Sequence, residues 1–290
     1  MCVVAGLLGQ WHWILDNLRN FLFLQIYIAL LFGLIFLLKS YLWSVFSGLI
    51  VLIGLASMEY PSSRKAKVNT FGKKTYTILT FNVLASNSRY QKLIAYVEEV
   101  DPDILALIEV NQKWEAAIQP LSQKYQSMIT VIRQDNFGIA LLAKHPFITS
   151  SIDSYSKQGI PSVIAHIRID EEDLTVIATH TLPPTSHYYW EDRNHHLKGL
   201  KQKLEQQDSP LIVAGDLNVS PWSHFGSQLV GTGDYFHVQD ALEPTWPAVL
   251  YPFSITLDYV LFNEYIEKIS YHVGKNLGSD HLPVIMKFKL

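Results

Sequence analysis

The chain has 290 residues with 23 basic and 26 acidic side chains, and a net charge of −3 excludes no class of partner. Its length suits one large domain or two small ones, and its single cysteine, Cys2, excludes a disulfide framework and a thiolate metal site. The hydrophobic share of 49% is at the upper end of the globular range, and most of the excess lies in the first sixty residues.

Phe21 to Leu38 carries no charge, and after Lys39-Ser40 a second uncharged run covers Tyr41 to Met58. Each run would span about 27 Å as a helix, close to the ~30 Å hydrocarbon core of a bilayer. The expectation is a transmembrane helical hairpin that contacts lipid through residues 21–58, within an anchoring segment 1–58. A cleaved signal peptide lacks support, since no basic n-region precedes the run and the apolar length is too great. A buried helical hairpin of a soluble protein is the other reading. Met1 to Leu15 is also apolar and offers a third, poorer span. Arg64, Lys65, Lys67, Lys73 and Lys74 follow the hairpin, whereas its turn carries only Lys39. The positive-inside rule then puts the remainder of the chain in the cytoplasm, although a third span would oppose that topology.

Residues 59–74 read as a basic linker and residues 75–290 as a soluble domain. The seven basic and two acidic residues before Thr75 leave 16 basic and 24 acidic residues after them, a net charge of −8. Such a domain lacks the basic field that drives nonspecific nucleic-acid binding.

Within that domain Thr75–Asn82 alternates as a strand. Arg89–Val100 has helical spacing that Asp101-Pro102-Asp103 breaks. Ile104–Ile108 reads as a buried strand with Glu109 at its end, and Asn111–Leu121 as the next helix. Strands are expected at Ser127–Arg133, Gly138–Lys144, Ser162–Ile169 and Leu174–His180, then a polar helix at His187–Gln207. The Leu211–Gly215 run delivers Asp216 and Asn218, and late strands are expected at His237–Asp240, Thr256–Phe262 and Leu282–Leu290. Helical crossovers mixed with hairpins suit a pair of mixed sheets with helices outside them, an α/β arrangement.

Several apolar strands end on one isolated polar residue: Asn82, Glu109, His180 and the Asp216/Asn218 pair. A core strand has no packing reason to finish on an ionisable group, so a common site is the economical explanation. If the chain stays extended past Gly215, Asp216 and Asn218 point to one side; the bland alternative is an Asp-x-Asn turn bonding its own backbone. Asp258 lies inside the apolar Thr256–Phe262 strand, and Asp280 stands beside His281. An aspartate next to an imidazole keeps it protonated and oriented, which suits an anionic transition state.

Asn82 in Thr-Phe-Asn-Val, Glu109 in Ala-Leu-Ile-Glu-Val, the Gly138–Lys144 strand, Ala178-Thr-His180, Gly215-Asp-Leu-Asn218, Leu257-Asp-Tyr-Val260 and Ser279-Asp-His281 occur in a telling order. From about residue 75 onward the chain resembles the endonuclease/exonuclease/phosphatase superfamily. Its apolar N-terminus and Pro221-Trp222-Ser223 are similar to a membrane-anchored bacterial branch, which implies the inner membrane. The resemblance implies a four-layer α/β sandwich and a phosphoesterase dependent on Mg2+ or Mn2+. It also implies roles: Glu109 and Asn82 at the metal, with Asp280 assisting. Asp216 would orient or deprotonate the attacking water, with Asn218 beside it on the phosphate. His281 would stabilise the pentavalent phosphorus, held by Asp258. His180 matches the second histidine of deoxyribonuclease-like and sphingomyelinase-like members.

The residues support the same chemistry without the name, because magnesium prefers oxygen ligands and one or two carboxylates suffice. Arg193, His195 and His196 read as a solvated helix face. Trp222 and Trp246 suit a site rim, a core or a membrane contact, and His145 reads as structural. The expected substrate is a phosphate ester: a nucleic acid, a phospholipid headgroup or a small soluble ester. No protein partner is expected. The alternative is a non-catalytic membrane adaptor, which should have lost Glu109, Asp216 or His281, and none is lost. A pore is disfavoured because the apolar runs hold only Gln25 as a strongly polar group.

Overall fold

The computed structural model describes residues 2–37, 40–58, 70–230, 243–250 and 253–290. Four helices open the chain: α1 (Cys2–Gly6), α2 (Trp13–Asn20), α3 (Leu22–Phe36) and α4 (Tyr41–Ala56). Then come β1 (Tyr76–Asn82), α5 (Tyr90–Val100), β2 (Ile104–Ile108), α6 (Gln112–Ile118), β3 (Ser127–Val131), β4 (Ile139–Ala143) and β5 (Phe147–Asp153). β6 (Ser162–Ile169), β7 (Glu172–His180), α7 (His187–Gln206), β8 (Leu211–Asp216) and α8 (His224–Val230) follow, before β9 (Asp258–Phe262), β10 (Glu267–Val273) and β11 (Val284–Lys289).

Two sheets form, ordered β10-β11-β1-β2-β4-β3 and β5-β6-β7-β8-β9. Each is mixed in the same way. β1 runs parallel to β2 across the α5 crossover, β7 runs parallel to β8 across α7, and every other neighbour is antiparallel. The period-two pattern of the first sheet sorts its side chains. Ile78, Ile104, Ala106, Ile108 and Leu141 join the core shared with the second sheet. Leu79, Phe81, Leu105, Leu107 and Leu142 pack instead beneath Leu93 and Val97 of α5 and Trp114 of α6. The expected pair of packed mixed sheets with flanking helices is therefore present.

Local chemistry sets the boundaries. α5 stops at Asp101, which takes a left-handed φ of 51° just before Pro102. The Asn111 side chain caps α6 by accepting from the Lys113 and Trp114 N–H groups. The helix expected over Asn111–Leu121 divides, because Pro120 carries its second half as a 3-10 turn at Gln119–Gln123. β5 and β10 were not anticipated. Both are sheet-edge strands: β5 is mostly exposed and lacks the apolar alternation that marks a strand, whereas β10 is mostly half-buried and does alternate, at Ile269, Tyr271 and Val273. α8 was not anticipated either, and the strand expected at His237–Asp240 lies outside the described residues.

The N-terminal helices depart most from expectation. α3 has 15 residues and α4 has 16, so at ~1.5 Å per residue each is about 23 Å long, short of a ~30 Å core. No single described helix is long and apolar enough to cross a membrane. α2 and α3 together have the length and composition but are bent by 68° at Phe21. α3 and α4 pack together, with the Ser44 hydroxyl donating to the Gly33 carbonyl at 3.2 Å. Their outer faces are bare hydrocarbon: Leu34 is 65% exposed and Leu42 78%.

Of the expected linker, residues 59–69 lie outside the described residues. The remainder is bound to the sandwich, with Thr70 bonded to Glu267 and Lys73 paired to Glu172 at 2.9 Å.

Candidate active site

The parallel pair of each sheet brings its polar strand ends to the same edge. In the second sheet the register sets His180 of β7 opposite Asp216 of β8, and Asp216 opposite Asp258 of β9. Three ionisable groups thus stand in one row across three strands. In the first sheet Asn82 pairs with Ile108, which places Glu109 one residue beyond. Glu109 leaves the strand with a left-handed φ of 66°. Gly215 is required where it stands: its φ is +145°, and a Cβ there would lie 1.9 Å from the Thr179 carbonyl oxygen.

Asn82 joins the two sheets. Its amide nitrogen donates to Glu109 Oε1 at 3.0 Å and to Asp216 Oδ2 at 3.1 Å, while its carbonyl oxygen accepts from the Leu84 N–H. The Ala85 N–H fixes the other Glu109 oxygen at 3.1 Å. His281 Nδ1 donates to Asp258 Oδ2 at 2.8 Å, and its Nε2 faces Asp216 Oδ2 at 3.6 Å. His180 Nε2 lies 3.5 Å from the same Asp216 oxygen, and His180 Nδ1 donates to the Asn136 carbonyl at 3.1 Å. Asp216, Asp258, His180 and His281 are all buried.

The electrostatics follow from this packing. Burial alone would lower the pKa of His281, but the carboxylates of Asp258 and Asp216 outweigh it and hold the ring at about 10. Burial presses Asp258 toward its neutral acid, and the imidazolium 2.8 Å away opposes that. With Asp216 facing the other ring nitrogen, the proton stays on His281. Burial also opposes ionisation of Asp216, yet His281, His180 and the Asn218 N–H bring its carboxyl down to about 2. His180 is raised above its ordinary value: burial works against this, and Asp216 and Glu109 prevail.

Both sequence readings of Asp216-Leu217-Asn218 hold in part. The Asn218 N–H donates to Asp216 Oδ1 at 3.0 Å, an Asx turn, while Asp216 Oδ2 serves the site. β8 ends at Asp216, so Asn218 does not reach the site by staying extended. Its φ of 47° swings the amide back to the Thr181 carbonyl at 2.9 Å and to within 3.3 Å of His180 Nε2. Asp280 stands apart: its carboxylate accepts from the Trp246 indole at 3.0 Å, and it does not line the cleft. Ser279 beside it hooks the loop to β1, donating to the Asn82 carbonyl at 2.8 Å.

A hard divalent cation wants oxygen donors, and here two buried carboxylates, Glu109 and Asp216, flank one amide and border the cleft. That donor set fits Mg2+ or Mn2+. Asp216, Asp258 and His281 also bring ligand-capable atoms within 4.8 Å of one another, but the Asp258–His281 bond already occupies that trio.

Several functional contacts escaped the sequence. Phe137 packs on the His180 ring with centroids 4.8 Å apart, and Thr245 Oγ1 accepts from the Leu257 and Asp258 N–H groups. Arg193 and His196 are not on a solvated face; both are fully buried. Arg193 donates to the Asn218 carbonyl at 3.0 Å and pairs with Asp16 of α2. An arginine in a polar helix carries no sign of such a partner 177 residues away.

The cleft occupies about 740 Å³. The Endonuclease/Exonuclease/phosphatase family model matches residues 79–281. Among solved structures, D. rerio TDP2 complexed with single-strand DNA product is 16% identical over 75% of this chain and 100% of its own, with a TM-score of 0.63. An endonuclease/exonuclease/phosphatase from Beutenbergia cavernae is 19% identical over 75% of this chain and 72% of its own, at 0.62. One from Bacteroides vulgatus is 16% identical over 75% and 100%, at 0.61. No curated protein matches. At these identities the solved structures speak for the fold, and the family model reaches from β1 to His281 across every strand end that builds the site. The chain belongs to the endonuclease/exonuclease/phosphatase family.

Proposed function

We propose that the chain is a membrane-anchored, divalent-metal-dependent phosphoesterase that hydrolyses a phosphodiester or phosphomonoester by in-line attack of water. The observation that carries this reading is the convergence of Asn82, Glu109, His180, Asp216 and the Asp258–His281 pair, from both sheets, on one cleft. Glu109 and Asp216, with Asn82 between them, would hold Mg2+ or Mn2+, which supplies neutralisation of phosphate charge and a template for the reacting oxygens. Asp216, ionised throughout the neutral range, accepts a hydrogen bond from the attacking water and aims it at phosphorus. The proton that water sheds passes to that carboxylate as the new P–O bond forms. His281 keeps its own proton and donates a charge-assisted hydrogen bond to the equatorial oxygens, its ring fixed by Asp258. His180, charged beside Asp216 and Glu109, gives its proton to the departing ester oxygen as the old P–O bond breaks. Asn218 steadies the phosphate at the His180 side.

The anchoring part of the proposal draws support from the bare apolar faces of α3 and α4 and from the basic residues that follow them in sequence. It places the catalytic domain on the cytoplasmic side of a bacterial inner membrane. Protease access to the domain in sealed vesicles of known orientation tests that side.

Activity is best tested on the full chain in detergent, because α2 is packed into the sandwich. Hydrolysis of bis(4-nitrophenyl) phosphate should require Mg2+ or Mn2+, stop with EDTA and return with added metal. Asp216→Ala should lower kcat by about 10³-fold or more. Metal-independent turnover, or a variant as fast as the parent, would remove the assignment.

A further inference from the structure

The family domain does not enclose its own cleft. One wall comes from Trp13, Asn17, Asn20 and Phe21, which precede the first matched residue, Leu79. These residues belong to α2 and its C-terminal boundary, and the structure ties them to the loops that carry the catalytic groups. Asn17 donates to the Pro184 carbonyl at 2.7 Å, in the loop that follows His180. The Asn20 side chain accepts from the Ser220 N–H at 3.0 Å, and Arg19 donates to the Trp222 carbonyl at 2.8 Å, both in the loop that follows Asp216. Asp16 accepts from the Trp190 indole at 3.1 Å and pairs with Arg193, which in turn holds the Asn218 carbonyl. A helix bonded to both loops, to one through the half-buried Asn17 and to the other through the buried Arg19 and Asn20, is part of the same folded unit, whatever else the N-terminal segment does.

The chemistry of that wall is selective. Trp13 and Phe21 line the cleft together with Leu182 and Pro183, and the same cleft is lined by Glu109, His180, Asp216 and His281, where phosphate would sit. Among the described residues, no lysine or arginine lines the cleft. A nucleic-acid strand brings a phosphate every nucleotide and calls for several cations along its path. A single phosphate joined to a hydrocarbon group calls for one polar end and one apolar wall. Phe21 is also the point where α2 bends into α3, so the wall runs directly into the helix whose outer face is bare hydrocarbon.

Resting on the phosphoesterase reading above, we propose that α2 is a substrate-selecting wall, and that Trp13 and Phe21 receive the apolar group of a lipid phosphate ester reaching the cleft from the bilayer. They are specificity-determining residues, while the acidic and histidine end performs the reaction.

The test uses two diesters with the same scissile bond, ethyl 4-nitrophenyl phosphate and dodecyl 4-nitrophenyl phosphate, with the full chain in detergent and Mg2+. The parent should prefer the dodecyl ester in kcat/KM on the order of tenfold or more. Trp13→Ala and Phe21→Ser should bring that ratio toward one, while Trp13→Phe should keep most of it. Partition of the dodecyl ester into detergent is common to parent and variants and cancels between them. Thermal melting of each variant separates lost preference from lost fold, and Phe21→Ser gives the readout if Trp13→Ala melts. Binding of dodecylphosphonate, followed by calorimetry, should weaken in the same variants without any turnover. If neither diester is cleaved by the parent, the phosphoesterase reading fails. If both are cleaved with no preference, or the preference survives Trp13→Ala and Phe21→Ser, the wall proposal alone fails. Faster cleavage of a single-stranded oligodeoxynucleotide than of the dodecyl ester would also overturn it.

Discussion

α2 and α3 are consecutive helices separated by one residue, yet they follow opposite rules of burial. α2 buries its charges: Asp16 and Arg19 are both enclosed, each with partners on the sandwich. α3 leaves its hydrocarbon in the open, with Leu31, Phe32, Leu34 and Ile35 all exposed. In water the second arrangement is unfavourable and the first costly, since burying a charge is tolerable only with a bonded partner. The 68° bend at Phe21 marks the change of surroundings. α2 is packed as part of the folded domain, while α3 and α4 leave an apolar surface uncovered, the surface that the proposed anchoring would give to lipid.

The sharpest way to break this comparison is to make α3 obey the rule of α2. Leu31→Lys combined with Leu34→Lys should cost about 3 kcal/mol per lysine for residence in lipid. The chain should then move from the carbonate-washed membrane pellet into the supernatant, while its hydrolysis of a soluble diester persists. Retention in the pellet would mean that these faces are covered by something other than a bilayer.

The converse change acts on α2. Asp16→Ala leaves Arg193 buried without its carboxylate, and breaking a buried pair in this way costs about 3–5 kcal/mol. Because Arg193 also holds the Asn218 carbonyl, the same variant should lose activity as well as stability. Chemical denaturation in detergent and kcat on a soluble diester would show both losses. If α2 were a detachable anchor, neither quantity would move.

A third prediction sets the sandwich against the N-terminal helices through pH. Burial pushes the His196 imidazole down to about 4, which outweighs the opposing charge of Asp192 and is reinforced by His180 and His195. The neutral ring lies within hydrogen-bond reach of the Thr179 hydroxyl at 3.0 Å and the Ser162 hydroxyl at 3.3 Å. Between pH 4 and about 6.5 the unfolded chain binds the proton that the folded chain refuses, so stability rises with pH there. The contribution is complete above pH 6.5, is lost as pH falls toward 4, and amounts to at most roughly 3 kcal/mol. Melting curves at pH 4.5 and 7 should diverge for the parent and draw together for His196→Leu. An unchanged divergence would assign the pH dependence to another group.

How much of this was legible in the sequence depends on the distance over which each signal acts. The apolar strands and the isolated polar residues ending them are local patterns, so Asn82, Glu109, His180 and Asp216 could be named as one site before any sheet was drawn. The geometry of Asn218 was not legible, because a left-handed turn and an extended strand share the Asp-Leu-Asn sequence. The edge strand β5 was hidden because an exposed strand does not alternate, whereas β10 does alternate, at Ile269, Tyr271 and Val273, and its signal was overlooked. Least legible was the α2 wall. Asp16, Asn17 and Asn20 look like polar interruptions of an apolar segment, and only tertiary contact turns Arg193 from a surface residue into the buried partner of Asp16.

The smallest expected effect tests the finest part of the comparison, the indole of Trp190 that donates to Asp16 at 3.1 Å. Trp190 sits on α7 beside Arg193, and its ring meets Phe225 of α8 edge-on with centroids 5.6 Å apart. Trp190→Phe keeps an aromatic ring but removes the donor, leaving Asp16 with Arg193 as its charged partner. A hydrogen bond to a charged acceptor is worth about 1.5–3 kcal/mol, and the salt bridge that remains should hold the loss near its lower end. The ratio of rates on long- and short-chain diesters should stay at the parent value, because the α2 wall keeps its position. A change in that ratio larger than the change in stability would show that α2 is held in place by the indole, with Arg193 unable to fix the helix alone.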